Sequence, residues 1–213
     1  MSHEFSDDHP RQYDTKDADL PEVASMEDTE LVGLCQKGDI DAFDRLFYKY
    51  RDKIYRTTFR MINNQEDALD LTQEIFLKAY KNINKYNFKS QFSTWLYKLA
   101  INVCIDELRK RKKSNEVLTD ATLDDKKSGN TPEDIVLSEE QESLIWKALD
   151  SLREKERSVI VLREMEGLSY EEIAKILKCS MGRVKSRIHE SREKLRKALE
   201  KISDSRNDEK GGR

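Results

Sequence analysis

The sequence predicts an all-α protein of two small helical domains joined by an acidic linker. Only seven glycines and three prolines occur in 213 residues, and the scarcity of these helix-breaking residues favours long helices over turn-rich β structure. Apolar residues recur at spacings of three and four in two blocks, residues 27–113 and 142–202, as amphipathic helices require. A chain of this length accommodates one or two domains.

Charge is segregated along the chain, although the net charge is only −3. Residues 1–30 hold ten acidic and two basic residues, and residues 114–141 hold eight acidic and two basic residues. The apolar blocks are correspondingly basic, which is the electrostatic footprint of a polyanion partner. Residues 1–26 lack apolar periodicity and are expected to form a disordered extension. Residues 114–141, which include Gly129 and Pro132, are expected to form the linker.

The first block predicts three amphipathic helices. An apolar stripe from Leu31 to Phe59 forms the first helix, and a turn at Asn63–Asn64 separates it from the second. A loop at residues 82–91, rich in Asn, Lys and Ser, precedes the third helix, for which Ser93 is the expected N-cap. That helix is expected to end in five consecutive cations at 109–113, since cations suit a helix C-terminus.

The second block predicts a helix-turn-helix. It opens with an apolar stripe at 144–152 and four consecutive apolar residues at 159–162. Ser169 and Glu172 have the spacing of a capping box, so a helix should start at Tyr170. After a short turn at 178–180, a final helix should run from Met181 to about Ile202. Residues 203–213 are expected to be a polar tail.

The helix from Met181 is the first candidate functional element, because such a helix can enter the major groove N-terminus first. The residues expected to contact DNA are Arg183, Lys185, Ser186, Arg187 and His189. The alternative is a solvated basic helix within a small bundle.

Two further surfaces lie in the first block. Asp67, Asp70 and Glu74 share one helix face with Gln73 beside it, and such a face can dock on a basic partner helix; taken alone, an ordinary solvated face explains it. A second segment interleaves aromatic, basic and amide side chains that can accept unstacked bases. Its members are Phe92, Ser93, Trp95, Lys98 and Asn102, followed by Arg109, Lys110 and Arg111 in the cation run. The alternative is that Phe92 and Trp95 belong to the core.

The sequence contains no catalytic constellation: it has no phosphate-binding loop, no HExxH and no nucleophile elbow, and its three histidines are not grouped. We therefore predict no enzyme, no metal, no cofactor and no small-molecule substrate. Cys35, Cys104 and Cys179 are far apart and are expected to be buried, reduced thiols. Without an apolar run of about 18 residues or a secretory signal, the chain is expected to be cytoplasmic.

Four segments, in order, resemble the extracytoplasmic-function (ECF) class of the sigma-70 family across about residues 28–202. They are GDIDAFDRLFYKY (38–50), NQEDALDLTQEIFLKAY (64–80), FKSQFSTWLYKLAINVCIDELRKRKK (88–113) and LREKERSVIVLREMEGLSYEEIAKILKCSMGRVKSRIHESREKLRKAL (152–199). The resemblance implies a region 2-like domain at 27–113 and a region 4-like helix-turn-helix domain at 142–202. It also implies a factor that binds core RNA polymerase and directs promoter-specific initiation.

The resemblance implies roles for the candidate residues. Asp67, Asp70, Gln73 and Glu74 would bind core polymerase at the β′ clamp helices, with the β flap as a further contact. A flipped base of the −10 element would be captured by residues from the loop and the helix that follows it, and phosphates by the cation run. These residues are Lys89, Phe92, Ser93, Trp95, Lys98 and Asn102, then Arg109, Lys110 and Arg111. The helix from Met181 would read the −35 element, where Glu190 departs from the family's usual basic residue and could favour a cytosine amine. Regulation by an anti-sigma factor is also implied.

Two other functions remain open from the sequence. A helix-turn-helix regulator could bind DNA alone, with residues 27–113 as a sensing or dimerising domain; it would need a ligand pocket or a self-complementary face. A helical adaptor could bind acidic proteins through its basic faces, and it would lack a steeply salt-dependent DNA affinity.

Overall fold

The computed structural model describes residues 26–118 and 139–211, with side chains described for 26–114 and 144–202. Every regular element within these ranges is helical, which confirms the predicted fold class. The first domain consists of α1 (Asp28–Gln36), α2 (Ile40–Ile62), α3 (Gln65–Asn82), a 3₁₀ turn (Ile83–Lys85) and α4 (Phe92–Leu118). The second consists of α5 (Glu139–Asp150), α6 (Glu154–Ile160), a π-helical turn (Val161–Met165), α7 (Tyr170–Leu177) and α8 (Met181–Gly211).

Glycine, asparagine and serine residues set several of the helix boundaries. Gly38, at φ 97°, divides the predicted first stripe into α1 and α2, because a left-handed residue cannot continue a helix. Asn63, at φ 55°, ends α2, and the Asn64 side chain accepts a hydrogen bond from the Asp67 amide at 2.9 Å to start α3. The predicted turn at Asn63–Asn64 is therefore confirmed. The predicted capping box of α7 is also present, with Glu172 N to Ser169 Oγ at 3.2 Å and Ser169 N to Glu172 Oε2 at 2.8 Å.

Two long helices exceed their predicted bounds. The helix α4 begins at Phe92 and passes through the cation run to Leu118, and α8 continues through most of the predicted tail to Gly211. Neither predicted end carries a glycine or proline to stop the helix. Most of the expected extension, residues 1–25, and residues 119–138 of the expected linker lie outside the described residues.

The first domain is held together by the apolar faces of α2, α3 and α4. Leu46, Ile54, Ile75 and Leu96 are fully buried among them. Packing of such faces supplies most of the stability of helices of this length. The carboxylate of Asp28 fastens α1 to α2 by accepting hydrogen bonds from Lys49 Nζ at 2.6 Å and from the Tyr50 hydroxyl.

The two domains pack against each other. Val159, Val161 and Leu162 belong to the same buried cluster as the core of the first domain, together with Ile173 and Ile176 of α7. Ile160 points instead to a smaller cluster with Leu149 and Leu152 within the second domain. The four consecutive apolar residues at 159–162 are thus buried on all sides, which is the expected position for a helix without a polar face.

A polar network crosses the same interface. Glu166 accepts hydrogen bonds from Arg60 Nη1 at 2.9 Å and from the Tyr97 hydroxyl at 3.0 Å. Arg157 donates to the Arg60 carbonyl at 2.9 Å and to Asp150 Oδ1 at 2.6 Å. We call this docked state of the two domains the closed arrangement.

None of the helices in the described ranges combines the length and apolarity needed to cross a membrane.

Candidate nucleic-acid interface

The outer face of α3 carries most of the predicted acidic stripe. Asp70, Gln73 and Glu74 are exposed. Glu74 forms an ion pair with Lys78, one turn along the helix, at 2.5 Å. Asp67 is placed differently, because its carboxylate forms an ion pair with Arg111 of α4 at 2.8 Å. Asp67 therefore fastens α3 to α4, while Asp70 and Gln73 have no polar partner among the described residues.

The helix α3 also carries exposed apolar side chains, which were not among the predicted site residues. Leu69, Leu77 and Tyr80 are 48%, 58% and 46% exposed, although residues of this kind are usually inside. A signal for them was available, since Leu69, Gln73 and Leu77 follow one another at the helical spacing of four, off the buried stripe. Their exposure gives α3 a mixed polar and apolar outer face.

The loop before α4 is held in a fixed shape. Gln36 Nε2 donates to the carbonyls of Ile83 at 2.9 Å and Tyr86 at 2.8 Å, and the Tyr86 hydroxyl donates to the Ser90 carbonyl at 2.5 Å. At its tip, Phe88 has φ 58° and is 45% exposed. A bulky residue in the left-handed region marks local strain, and such strain clusters at functional sites. Phe88 was not predictable from the sequence, because the backbone conformation of a loop leaves no periodic signal.

The start of α4 corrects two expectations. Phe92 is 2% exposed and packs edge-on against Tyr50 and Tyr86, so it lies in the core and not on a base-accepting surface. Ser93 is half-buried and lies inside the first turn of α4, which begins one residue earlier at Phe92, so it is not the N-cap. Trp95 is half-buried, and its ring lies 5.5 Å from that of Tyr86 and 5.6 Å from that of Phe92. The aromatic packing that α4 requires accounts for all three positions.

The remaining residues of this segment are accessible on the surface of the first domain. Lys89, Asn102, Arg109 and Lys110 are exposed and Lys98 is half-exposed. Arg111 is an exception within the cation run, because it binds Glu107 at 2.9 Å as well as Asp67. Its role in the described part of the chain is therefore to join two helices.

The helix-turn-helix forms as predicted and presents a polar helix. Lys178, at φ 50°, ends α7, and α8 starts three residues later. Val184 and Ile188 are buried on its inner side. The outer side is made of the predicted residues Arg183, Lys185, Ser186, His189 and Glu190, which are exposed, and Arg187, which is half-exposed. Ser186 Oγ donates to Glu190 Oε1 at 2.7 Å, which fixes the direction of that carboxylate.

The closed arrangement brings two of the predicted surfaces together. Asn102 and Arg109 of α4 and Arg183 and Arg187 of α8 line one cavity between the domains. The α3 face is not part of this cavity. A helical bundle with basic surfaces and a well-formed helix-turn-helix define a DNA-binding protein of two modules.

Two family models match the chain, "Sigma-70 region 2" over residues 46–114 and "Sigma-70, region 4" over residues 142–195. The ECF RNA polymerase sigma factor SigW of Bacillus subtilis is 40% identical over 180 residues, covering 77% of this chain and 92% of that protein. The RNA polymerase sigma-H factor of Pseudomonas aeruginosa is 37% identical over 188 residues, covering 84% and 97%. The ECF RNA polymerase sigma-E factor of Escherichia coli is 36% identical over 178 residues, covering 80% and 93%.

Two solved structures share the fold. The sigma factor RpoE in complex with the anti-sigma factor NepR from Bartonella quintana aligns with a TM-score of 0.62 at 22% identity, covering 76% of this chain and 98% of that one. CnrH in complex with the cytosolic domain of CnrY aligns with a TM-score of 0.61 at 22% identity, covering 81% and 97%.

The chain belongs to the ECF sigma factors of the sigma-70 family. It is a sigma factor that directs promoter-specific transcription initiation.

Proposed function

We propose that three separate surfaces of this sigma factor carry out initiation: the α3 face for core polymerase, the α4 region for the −10 element and α8 for the −35 element. The observation that carries the proposal is the outer face of α3. It presents Asp70, Gln73 and Glu74 beside exposed Leu69 and Leu77 on a rigid helix. Exposed apolar side chains next to polar ones are typical of a protein interface, and the β′ clamp helices are the partner that the family implies.

The −10 element is assigned to the loop and α4. Phe88 is held outward at the loop tip, Trp95 is partly accessible behind it, and Asn102 offers an amide on the same helix. Stacking of an unpaired base on an aromatic side chain contributes about 1–3 kcal/mol, which offsets the few kcal/mol needed to flip a base out of the duplex. Lys89, Lys98, Arg109 and Lys110 supply phosphate contacts. Phe92 and Ser93 contribute by holding this surface in place.

The −35 element is assigned to the outer side of α8. Arg183, Lys185 and Arg187 are suited to phosphates and guanine edges, and Ser186 and His189 lie on the same first turns. The Glu190 carboxylate accepts hydrogen bonds only, so we propose that it faces a cytosine amine once Ser186 releases it.

Initiation on this account requires the domains to separate. The two promoter elements lie about one and a half DNA turns apart, which is ~50 Å at 34–36 Å per turn. In the closed arrangement Asn102 and Arg109 share a cavity with Arg183 and Arg187, so α4 and α8 cannot reach both elements together. The closed arrangement is therefore a resting state.

The partner that holds this state is proposed to be an anti-sigma factor, since the sigma factor RpoE from Bartonella quintana, which has the same fold, was solved with the anti-sigma factor NepR. The chain acts in the cytoplasm, by binding and not by catalysis. Core polymerase and the anti-sigma factor should compete for the chain, and formation of a stable complex of all three would contradict masking of the polymerase surface.

The direct test is in vitro transcription with core polymerase and a library of promoter fragments. Gln73→Ala/Glu74→Ala should reduce initiation at least about tenfold, because truncating central interface residues costs more than about 1–2 kcal/mol. Asp52→Ala serves as the control, since it removes an exposed carboxylate from α2 of the same domain and should leave initiation within about twofold.

A regulator that binds DNA alone would give different results in these experiments. In that case the chain would bind specific DNA without core polymerase, and Gln73→Ala/Glu74→Ala would leave that binding unchanged. Initiation that needs both the chain and core polymerase, and that is lost in the α3 variant alone, supports the sigma assignment of this face.

A further inference from the structure

In the closed arrangement, α4 and the helix-turn-helix form a cavity of about 380 Å³ that is open to solvent on one side. The α4 wall contributes Asn102 and Ile105, and the opposite wall contributes Ile176 and Leu177 of α7 and Cys179 of the turn. The cavity thus exists only while the domains are docked. Its volume lies in the range of small-molecule sites, about 300–1,000 Å³, and is too small to admit a DNA duplex.

The cavity is strongly basic. Its charged lining residues are Asp106, Arg109, Lys155, Lys178, Arg183 and Arg187. Asp106 is the single acid and lies 3.8 Å from Arg109. Within the described parts of the chain, Lys155, Lys178, Arg183 and Arg187 form no ion pair. Four excess cations therefore line one cleft, where their mutual repulsion opposes docking and a polyanion would relieve it.

We propose that this cavity binds a nucleotide carrying two or three phosphates, and that the bound nucleotide stabilises the closed arrangement. A terminal phosphate carries about −1.5 to −2 charges near neutral pH, so a di- or triphosphate of about −3 to −4 balances the four excess cations. Leu177, which is partly accessible beside the buried Ile105 and Ile176, offers a small apolar contact for the base. The exposed Asn102 amide can both donate to and accept from a base edge.

The location of the ligand determines its effect. Both domains contribute walls, so the site is complete only in the closed arrangement, and a ligand that binds one state shifts the equilibrium toward it. The nucleotide would therefore oppose the domain separation that initiation requires. This last consequence rests on the proposed function, whereas binding to the cavity does not.

Cys179 supplies a built-in reporter. It lines the cavity and is partly accessible, whereas Cys35 and Cys104 are buried. We would measure the rate at which N-ethylmaleimide alkylates Cys179 in the full chain, without polymerase or DNA, while adding ATP or inorganic tripolyphosphate, and measure both affinities by calorimetry. ATP should slow the alkylation of Cys179 at least about fivefold at saturation and bind more tightly than tripolyphosphate.

A matched pair of variants separates the cavity from general attraction to a basic surface. Lys155→Gln/Lys178→Asn removes two cavity charges, and asparagine tolerates the left-handed backbone at 178. Lys37→Gln/Lys197→Gln removes two exposed charges that do not line the cavity. The first pair should weaken ATP binding about tenfold or more, since charge-assisted contacts are the strong ones, and the second less than about twofold.

Three results would overturn the proposal. Equal losses in the two double variants would show only non-specific attraction of an anion. Absence of ATP binding, or binding without protection of Cys179, would remove the site altogether. Equal affinity for ATP and tripolyphosphate would remove the role given to the base and leave inorganic polyphosphate as the ligand. Because the experiment uses the chain alone, each result is independent of whether the α3 face binds polymerase.

Discussion

Glu166 accepts two of the hydrogen bonds that join the domains. Its side chain is 7% exposed, and it accepts hydrogen bonds from Arg60 of α2 and Tyr97 of α4. Burial, followed by the nearby Glu166 charge, raises the pKa of the Tyr97 hydroxyl, which therefore remains a donor at any physiological pH. A carboxylate this far from water depends on its partners, because an unpaired buried charge is costly.

Replacing that carboxylate should weaken docking of the domains. We expect Glu166→Ala to lower the free energy of unfolding in urea by about 2–4 kcal/mol, as loss of one partner of a buried ion pair does. Glu164→Ala is the control, since Glu164 pairs with Arg192 where both side chains are largely exposed, and it should cost at most about 1 kcal/mol. Similar losses in both variants would show that the Glu166 network does not couple the domains.

The three cysteines should differ in reactivity. Burial, aided by the Asp39 charge at Cys35, raises the pKa of the Cys35 thiol to about 11, and burial raises that of Cys104 to about 12. Only the thiolate is nucleophilic, so at pH 8 about 0.1% or less of either thiol is reactive. Mass spectrometry after brief alkylation of the native chain should find one label, on Cys179. A label on Cys35 or Cys104 at a similar rate would contradict the buried positions of these side chains.

At the scale of the element, local side-chain signals were sufficient to predict several helix ends. The Asn63–Asn64 turn and the Ser169–Glu172 box were predictable because each uses a short polar side chain to satisfy backbone groups at a helix end. The ends of α4 and α8 were not predictable, because no glycine or proline stands at the predicted end of either charged helix to terminate it. The N-cap predicted at Ser93 was wrong because α4 already begins at Phe92, which leaves Ser93 inside the first helical turn.

The capping box gives a prediction for α7. Ser169→Ala should lower the free energy of unfolding by about 1 kcal/mol, because the Glu172 amide loses its acceptor. Ser169→Asp keeps an acceptor at the N-terminus of the helix and should recover most of that stability. Urea denaturation followed by circular dichroism measures both. A loss in Ser169→Asp equal to that in Ser169→Ala would show that the hydrogen bond is not what stabilises α7.

In the candidate site too, residues with a local sequence signal were predictable and residues without one were not. The acidic residues of α3 and the polar side of α8 could be predicted from helical periodicity, which places them on outer faces. Phe88 could not be predicted, because its exposure depends on the left-handed backbone conformation of a loop residue. Phe92 was misplaced because an aromatic residue beside a basic segment is as compatible with a core position as with a base contact. The core position of Phe92 depends on Tyr50 and Tyr86, which are distant in sequence.

At the scale of the whole molecule, the main feature is the docking of two domains, which we propose that promoter binding separates. The run of four apolar residues at 159–162 carried this information in the sequence, since a helix buried on every side needs a second layer to cover it. Arg157 contributes to the interface at a cost in desolvation. Burial lowers the pKa of its guanidinium, and the nearby Asp150 carboxylate partly opposes that lowering. One terminal nitrogen of Arg157 is buried without a hydrogen-bond partner. Separation of the domains would return this nitrogen to water, which makes the interface easier to open.

The most direct test of this account is the distance between the domains, measured by fluorescence energy transfer. Dyes would be placed on Lys37→Cys and Lys197→Cys in a Cys179→Ser background, leaving the two buried cysteines unlabelled. The free chain should give one short mean distance. Binding to core polymerase and promoter DNA should lengthen it by roughly half a DNA turn or more, ~17 Å. An unchanged distance in a complex that initiates transcription would contradict the claim that the domains must separate.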